Sequence, residues 1–487
     1  MFLGIDIGTS AVKVVLIDDT GASVATGSAP LTVSRPHPTW SEQDPESWWS
    51  ATQSAVLELP MAARANVKAI GLSGQMHGAT VLGKNHQPLR DAIIWNDGRS
   101  DAQCAELTER EPAFVERGAN LLMPGFTGPK LKWLQQNEPA LFDKIDKVLL
   151  PKDFVRLKMT GEFASDCSDS SGTLWMDVAA RAWHAPLLHA CGLTTDHMPR
   201  LYEGTDVTGQ LRPDVAADWG MPCVPVVAGG GDNAAGAIGA GVVDEGQTMM
   251  SLGTSGVIFT ACESFRSRPQ SAVHAFCHAV PSRWHLMSVM LSAASCLHWA
   301  CKVTKTATVG QLIELAQTTR PDNRTTFLPY LSGERTPHND PNASGVLLGL
   351  THDTGPAEIV DAVLKGVAFG MADGFDALVM AGAKIGSLTV IGGGARSSYW
   401  GEILAAIIGR PLVYRDSAAV GPALGAARLA QFALHGNSDD VFAPPAITAT
   451  IAPNHELAEN LATQRARYQA LYQTLKTTFA ENDHAQP

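Results

Sequence analysis

Two aspartates lie where a chain could carry out phosphoryl-transfer chemistry. Asp6 precedes the turn Gly8-Thr9-Ser10, and Asp232 follows a run of glycines at 229–231. Asp6 could hold Mg²⁺ through water, because this ion keeps most of its hydration shell. Transfer of a phosphoryl group to an alcohol also needs a base beside the hydroxyl, and Asp232 is the predicted base. The alternatives are a local turn acceptor for Asp6 and a helix N-cap for Asp232.

The turn after Asp6 occurs a second time in the chain. Residues 5–13 read IDIGTSAVK, and residues 250–258 read MSLGTSGVI. Each copy predicts a β-hairpin, whose exposed backbone N–H groups could cradle phosphate oxygens. The repeat therefore predicts two related domains that bind a nucleotide, using Gly8, Thr9 and Ser10 from one turn and Gly253 and Thr254 from the other. Lys13 either reaches a phosphate or protects a strand edge.

Composition restricts the classes of function. The 487 residues favour two large domains, and 45% hydrophobic residues suffice for their cores. A net charge of −12 argues against a nucleic-acid or anionic-membrane partner. The chain starts without a basic leader, no apolar run is long enough to span a bilayer, and the eight cysteines form no C-x-x-C pair, so a cytoplasmic location is expected. His274, Cys277 and His278 resemble zinc ligands, but their apolar run favours packing.

The spacing of apolar residues and turns predicts α/β architecture. A domain boundary is expected near 243–247, which gives domains 1–244 and 245–487, the second ending in a helical tail from 436. Glycine runs follow two of the predicted strands, at 229–231 and 392–394. We predict strands at 2–7, 12–18, 67–73, 80–82, 224–228 and 388–391, and helices at 45–59, 129–137, 234–240, 356–381 and from about 397. Asp44 is the predicted N-cap of helix 45–59.

Two longer segments carry a family resemblance. Residues 125–137 (GFTGPKLKWLQQN) match the first signature of the FGGY carbohydrate kinase family, and residues 345–365 match the second except at Lys365. The chain resembles this family from Phe2 to about Leu429. The resemblance implies two ribonuclease-H-like domains around a central cleft, the fold shared with actin, hexokinase and Hsp70. It also implies an ATP-dependent sugar kinase that uses Mg²⁺.

The resemblance further implies which residues form the site. Segments 74–78, 95–99, 231–233 and 329–337 are most similar to family members that phosphorylate D-xylulose at O5. Met76, His77, Trp95, Asp232 and Asn233 would then line the sugar site. Thr254 would lie near the ATP phosphates, Gly393 and Gly394 under the adenosine, and Ser398 where some relatives place an asparagine against the base.

Several alternatives stay open at this stage. L-ribulose, L-xylulose or another polyol could replace D-xylulose as substrate, and a homodimer is compatible with the sequence. An ATP-gated binding protein or an inactive sugar sensor could use the same fold. Asp6 and Asp232, together with the predicted sugar-site residues, favour the kinase.

Overall fold

We analysed a computed structural model of the chain. It describes residues 1–319, 324–416, 421–436 and 438–481. Residues 482–487, the end of the predicted tail, lie outside the described part.

The first half of the chain alternates strands and helices. Its strands are β1 Phe2–Ile7, β2 Ala11–Ile17, β3 Ser23–Pro30, β4 Glu42–Gln43, β5 Ala69–Gly74, β6 Thr80–Leu82, β7 Ala92–Ile93, β8 Lys147–Leu149, β9 Ala164–Asp166, β10 Met176–Asp177, β11 Ala182–Trp183, β12 Arg200–Tyr202, β13 Val207–Gln210, β14 Pro225–Val227 and β15 Gly230–Gly231. Its helices are α1 Pro45–Leu57, α2 Met61–Arg64, α3 Asp101–Arg110, α4 Ala113–Glu116, α5 Thr127–Asn137, α6 Pro139–Phe142, α7 Pro151–Thr160, α8 Cys167–Ser170, α9 Ala185–Ala190, α10 Pro213–Trp219 and α11 Asp232–Gly239.

The second half has fewer strands and longer helices. Its strands are β16 Thr248–Leu252, β17 Gly256–Cys262, β18 His274–Cys277, β19 Trp284–Met290, β20 Thr326–Leu328, β21 Val346–Leu348, β22 Leu388–Ile391, β23 Leu412–Arg415 and β24 Ile447–Ile451. Its helices are α12 Ser295–Thr304, α13 Val309–Thr319, α14 Pro356–Met380, α15 Ser398–Ile408, α16 Pro422–His435, α17 Ser438–Val441 and α18 His455–Glu481.

Each half of the chain forms its own sheet, and the two sheets have the same arrangement of strands. The first has the order β13-β14-β5-β1-β2-β3, and the second has β18-β19-β17-β16-β22-β23-β24. In each sheet, the second strand of the repeated hairpin also pairs with a third antiparallel strand, which is β3 in the first sheet and β19 in the second. The first strand of the hairpin pairs on its other side with a parallel strand, β5 or β22. This repeated order, with helices packed against the sheets, is the paired ribonuclease-H-like architecture that the sequence resemblance implied.

The two repeated turns close with different registers. Ile7 pairs with Val12 across the first hairpin, whereas Leu252 pairs with Gly256 across the second. The second turn is therefore one residue tighter than the first. Strand register depends on how a turn closes as well as on its sequence, so near-identical residues present their backbone groups differently.

One helix from the second half returns to the first sheet. Helix α16 packs against β1 and β5 through backbone contacts, because glycines face it on both strands. A Cβ at Gly4 would lie 1.8 Å from the Ala423 carbonyl oxygen, and a Cβ at Gly71 would lie 1.9 Å from that of Ala426. The core of the first sheet therefore includes residues from beyond position 421, and the division into 1–244 and 245–487 stays a prediction.

The predicted elements agree closely with the observed ones, with one correction. Asp44 caps α1 by accepting a hydrogen bond from Glu46 N, and Pro45 is the first helical residue. The tail after 436 was expected to be helical, but it also contains β24, which pairs with β23 at the edge of the second sheet. Tail residues gain backbone hydrogen bonds at an exposed sheet edge, and a local pattern does not reveal that edge.

Candidate active site

A cavity of about 260 Å³ lies between the two halves of the chain. Every residue expected at the sugar site lines it, and second-half residues complete its wall. The lining residues are Met76, His77, Trp95, Met123, Gly125, Phe126, Asp232, Asn233, Ser255, Val257, His274, Phe276, Met287, Val289 and Arg335. We call it the first cavity. Its size and its mixture of apolar walls and a few polar groups suit a small polar molecule.

Asp232 occupies the first position of α11, with Gly231 as the N-cap residue. The N-cap alternative for Asp232 is therefore wrong. Both the backbone N–H and the side-chain amide of Asn233 donate to Asp232 Oδ1, at 2.8 and 3.0 Å. Asp232 Oδ2 has no partner among the described residues. Burial raises the pKa of Asp232 to about 6, so the carboxylate is a competent base at neutral pH.

The glycines before Asp232 are needed for close packing. Gly229 has φ +75°, and a Cβ there would lie 1.8 Å from the Leu72 carbonyl oxygen. A Cβ at Gly231 would meet Met76 Cγ at 2.9 Å. The Gly231 N–H donates to Ser168 Oγ at 3.2 Å. These glycines therefore allow the segment to pack closely against β5 and the wall of the first cavity.

His77 is fixed as a neutral acceptor. Its Nδ1 lies 2.8 Å from the Gly172 carbonyl oxygen, so Nδ1 carries the proton and Nε2 is left with a lone pair. Burial is the main cause that lowers the pKa of His77 to about 3. The backbone has φ +70°, and the His77 carbonyl oxygen accepts hydrogen bonds from Thr127 Oγ1 at 3.1 Å and Lys130 Nζ at 3.0 Å. The first signature segment therefore holds His77 in place.

Trp95 connects the first cavity to the first hairpin. Its indole N–H donates to Thr9 Oγ1 at 2.9 Å, and the side chain is 46% exposed. The Thr9 hydroxyl donates in turn to Gln75 Oε1 at 3.2 Å. Thr9 was predicted only as a phosphate-turn residue, but its side chain holds Trp95. The backbone N–H groups of Thr9 and Ser10 bond to no described residue, so they are free to donate to a ligand.

Asp6 is a buried carboxylate beside the site. It lies opposite Lys13 in the β1–β2 ladder and beside Ser73 of β5. Its Oδ1 is buried without a hydrogen-bond partner among the described residues. Burial and the charge of Asp232 raise the pKa of Asp6 to about 7, opposed by Ser73 and Lys13. A buried carboxylate with one unpaired oxygen, near a second carboxylate, suits a cation, which would replace the missing partner.

The metal-ligand alternative at His274, Cys277 and His278 finds no support. All three side chains are buried in or next to β18, and His278 Nε2 lies 3.0 Å from the Val242 carbonyl oxygen. Across the described residues there is no group of three or more His, Cys, Asp or Glu side chains that could hold a metal. Mg²⁺ would therefore need water and substrate oxygens in addition to Asp6.

A second cavity of about 660 Å³ adjoins the second hairpin. Four of the predicted nucleotide-binding residues, Gly253, Thr254, Gly393 and Gly394, line this cavity. Ser398 does not line it, whereas its neighbour Ser397 does. Ser397 also caps α15, accepting a hydrogen bond from Trp400 N at 3.2 Å. The first-hairpin residues Gly8, Thr9, Ser10 and Lys13 are not among those lining this cavity, and the Lys13 side chain is exposed.

The second Gly-Thr-Ser turn stands between the two cavities. Gly253 and Thr254 line the second cavity, whereas Ser255 lines the first. A molecule in the second cavity would reach one in the first around this turn. Asp232 lines the first cavity, and Asp6 lies close enough for the charge of Asp232 to contribute to raising its pKa. This is the arrangement required to pass a group from a nucleotide to a small acceptor.

Ten lining residues were not predicted as site residues, among them Phe126, His274 and Arg335. Phe126 and Arg335 lie within segments quoted for the family resemblance, so that resemblance was an available signal. His274 was assigned to packing alone, and no local pattern could show that its ring borders a cavity formed by distant segments. Phe126 packs edge-on against His77, with ring centroids 4.6 Å apart.

Comparisons with known proteins agree with this geometry. The N-terminal domain model of the FGGY family of carbohydrate kinases matches residues 1–239, and the C-terminal domain model matches residues 248–434. The chain belongs to the FGGY family of carbohydrate kinases and is a sugar kinase of the actin and hexokinase type.

Individual relatives and a solved structure are similar to this chain over nearly its whole length. A xylulose kinase of Escherichia coli is 55% identical over 481 residues, covering 98% of both chains. A xylulose kinase of Klebsiella pneumoniae is 54% identical, covering 98% of this chain and 99% of the relative. A solved structure described as a xyloylose kinase from Brucella ovis has a TM-score of 0.95 at 46% identity, covering 98% of this chain and 99% of that one. None of the described helices is long and apolar enough to cross a membrane.

Proposed function

We propose that this enzyme transfers the γ-phosphoryl group of ATP to O5 of D-xylulose. The observation that carries the proposal is the second Gly-Thr-Ser turn, which borders both cavities, the first of which Asp232 also lines. The sugar would occupy the first cavity and ATP the second. The names of the most similar relatives support D-xylulose in particular. L-Ribulose, L-xylulose and other polyols are the alternatives.

Asp232 is the proposed base. Its Oδ2 accepts the proton of O5 as that oxygen attacks the γ-phosphorus. The bond between phosphorus and the β,γ-bridging oxygen breaks, and ADP leaves. The Asn233 hydrogen bonds to Oδ1 fix the carboxylate in one rotamer, so that Oδ2 points its lone pairs at a defined place. Positioning of this kind is the main contribution that a protein makes to phosphoryl transfer.

The remaining predicted residues have complementary roles. His77 Nε2 accepts a hydrogen bond from a sugar hydroxyl, and Trp95 and Met76 cover the C–H faces of the sugar. Free N–H groups of the Gly-Thr-Ser turns donate to phosphate oxygens. Mg²⁺ bound with ATP would be held through water by Asp6 and would offset the negative charge of the phosphates.

Closure of the cleft is part of the proposal. In the first cavity the sugar would contact both halves of the chain, and in the second cavity the nucleotide would contact the second half, so both ligands together favour a closed arrangement. Without sugar, a water molecule beside Asp232 supports slow ATP hydrolysis. Small-angle scattering should show a smaller radius of gyration with D-xylulose and a non-hydrolysable ATP analogue than without them. An unchanged radius, with binding confirmed on the same sample, would indicate a preformed site.

The test of substrate is a panel assay that measures ADP release directly. D-Xylulose, L-xylulose, L-ribulose, xylitol and D-arabinitol should each be compared by kcat/KM, and the phosphorylated carbon should be located by NMR. We expect the highest value for D-xylulose, with phosphate on C5. A higher value for another sugar would reassign the substrate. ATP binding without transfer to any of them would favour the ATP-gated binding protein.

A further inference from the structure

The proposed reaction restricts the form of the sugar that can bind. In the ring form of a 2-ketopentose, O5 is bonded to C2 and has no proton to give. A kinase acting on O5 must therefore hold the open chain, which has a free ketone at C2 and a hydroxyl at C1. The end of the first cavity away from Asp232 should then contain a donor for the ketone. This argument rests on the proposed function.

Arg335 is a charged donor on the wall of this cavity. It lines the first cavity, and its guanidinium is neither hydrogen-bonded nor ion-paired to any described residue. The adjacent Glu334 is occupied otherwise, because its Oε1 accepts from Leu291 N at 3.1 Å and from Arg335 N at 2.7 Å. An arginine that is largely withdrawn from water without a partner is costly. A ligand oxygen would remove that cost.

His274 provides an acceptor beside it. Its Nδ1 lies 3.1 Å from Asn120 Oδ1, and Asn120 Nδ2 donates to two carbonyl oxygens, which fixes the amide orientation. His274 Nδ1 therefore carries the proton. His274 Nε2 is a lone-pair acceptor, buried without a partner among the described residues, in a side chain only 2% exposed. Such an orphan acceptor on a cavity wall indicates a ligand hydroxyl.

The fold holds Arg335 and His274 on one wall. Thr336 Oγ1 donates to the Ala272 carbonyl oxygen at 2.8 Å, and Thr336 N donates to the Val289 carbonyl oxygen at 3.0 Å. The segment carrying Arg335 is thereby fixed to the chain just before β18. The positive charge of Arg335 contributes to lowering the pKa of both His77 and His274. Arg335 and His274 therefore lie within electrostatic reach of each other on the wall of the first cavity.

We propose that Arg335 and His274 select the open-chain keto sugar. Arg335 donates to the C2 ketone oxygen, and His274 Nε2 accepts a hydrogen bond from the C1 hydroxyl. Asp232 holds the other end of the chain at O5. The pair thus determines specificity for a ketose over the corresponding polyol. Neither side chain takes part in the transfer of the phosphoryl group.

The test compares substrates that differ at one end only. Xylitol and D-arabinitol lack the ketone, and 1-deoxy-D-xylulose lacks the C1 hydroxyl, while all three keep a terminal hydroxyl for transfer. In Arg335→Gln, kcat/KM for D-xylulose should fall about 10- to 100-fold, as expected for a hydrogen bond to a charged group. The value for the polyols should change much less. In His274→Phe, the preference for D-xylulose over 1-deoxy-D-xylulose should disappear.

Controls separate this proposal from a structural role. Arg212→Gln, a surface arginine paired with Asp214, should leave every value unchanged. Arg335→Lys keeps a charged donor and should retain part of the ketose preference, and thermal unfolding shows whether each variant is folded. Equal losses for ketose and polyol in Arg335→Gln would overturn the proposal, and if that variant does not fold, Arg335→Lys and His274→Phe decide. If the unmodified enzyme instead phosphorylates no ketose, the proposed function itself fails.

Discussion

The acid limb of the pH profile should identify the base. Burial raises the pKa of Asp232 to about 6, whereas the pKa of His77 is about 3 and that of His274 is well below its usual value. An inflection near pH 6 in a kinase with two cavity histidines would ordinarily be assigned to an imidazole. Here both imidazoles stay neutral across the working range, so the inflection belongs to a carboxylate.

The sign and size follow from Asp232 acting as a base. Only the ionised form accepts the O5 proton, so activity is full above pH 7 and falls as pH drops through 6. The ionised fraction is about a tenth at pH 5 and about a hundredth at pH 4. At saturating Mg²⁺ and ATP, kcat/KM for the sugar should be proportional to the ionised fraction of Asp232. The titration of Asp6 adds no second inflection to the pH profile under these conditions, because a bound cation keeps its carboxylate ionised.

The assay should measure ADP by chromatography, because coupling enzymes lose activity at low pH. Asp232→Asn keeps an acceptor for the Asn233 N–H groups but removes the base, so the plateau should fall about 10²–10⁴-fold and the limb near pH 6 should vanish. His77→Gln should lower kcat/KM while keeping the limb. The exposed Asp244→Asn serves as the control. A limb near 6 that survives in Asp232→Asn, or that vanishes in His77→Gln, would refute the assignment.

Three other substitutions test separate parts of the structure. Asp6→Asn should lose Mg²⁺-dependent turnover while keeping sugar affinity. In the absence of Mg²⁺, this variant should unfold at a higher temperature than the unmodified enzyme at pH 8, and at the same temperature at pH 4. The reason is that the pKa of Asp6 is about 7 in the folded protein, which is above its value in the unfolded chain. Ionised Asp6 therefore destabilises the fold increasingly as pH rises between these two values. An equal change in unfolding temperature at pH 8 and pH 4 would contradict this reasoning. His77→Ala should raise KM for the sugar more than KM for ATP, through loss of a hydrogen bond of about 0.5–1.5 kcal/mol, and equal increases would indicate a structural role instead. Gly71→Ala should destabilise the fold by about 1–3 kcal/mol in denaturant unfolding, because its Cβ would lie 1.9 Å from the Ala426 carbonyl oxygen; Gly386→Ala, with nothing within 4 Å of its Cβ, is the control and should change little.

The sequence by itself predicted the architecture and a set of residues that line one cavity. The repeated Gly-Thr-Ser hairpins, the glycine runs after two strands and the family signatures predicted two ribonuclease-H-like halves, and the sheets have that order. Met76, His77, Trp95, Asp232 and Asn233 were expected together and line one cavity. The family resemblance supplied that grouping, whereas local patterns suffice for the hairpins, strand ends and helix starts, because these depend on neighbouring residues.

Other features depended on the tertiary structure. The different closures of the two turns, the link from Thr9 to Trp95, and the return of α16 to the first sheet all join segments far apart in the chain. The Arg335 guanidinium and His274 Nε2, for which no partner is found among the described residues, depend on distant segments in the same way. A side chain's protonation and free hydrogen-bonding capacity are set by whatever packs around it, and in this protein those neighbours come from both halves of the chain.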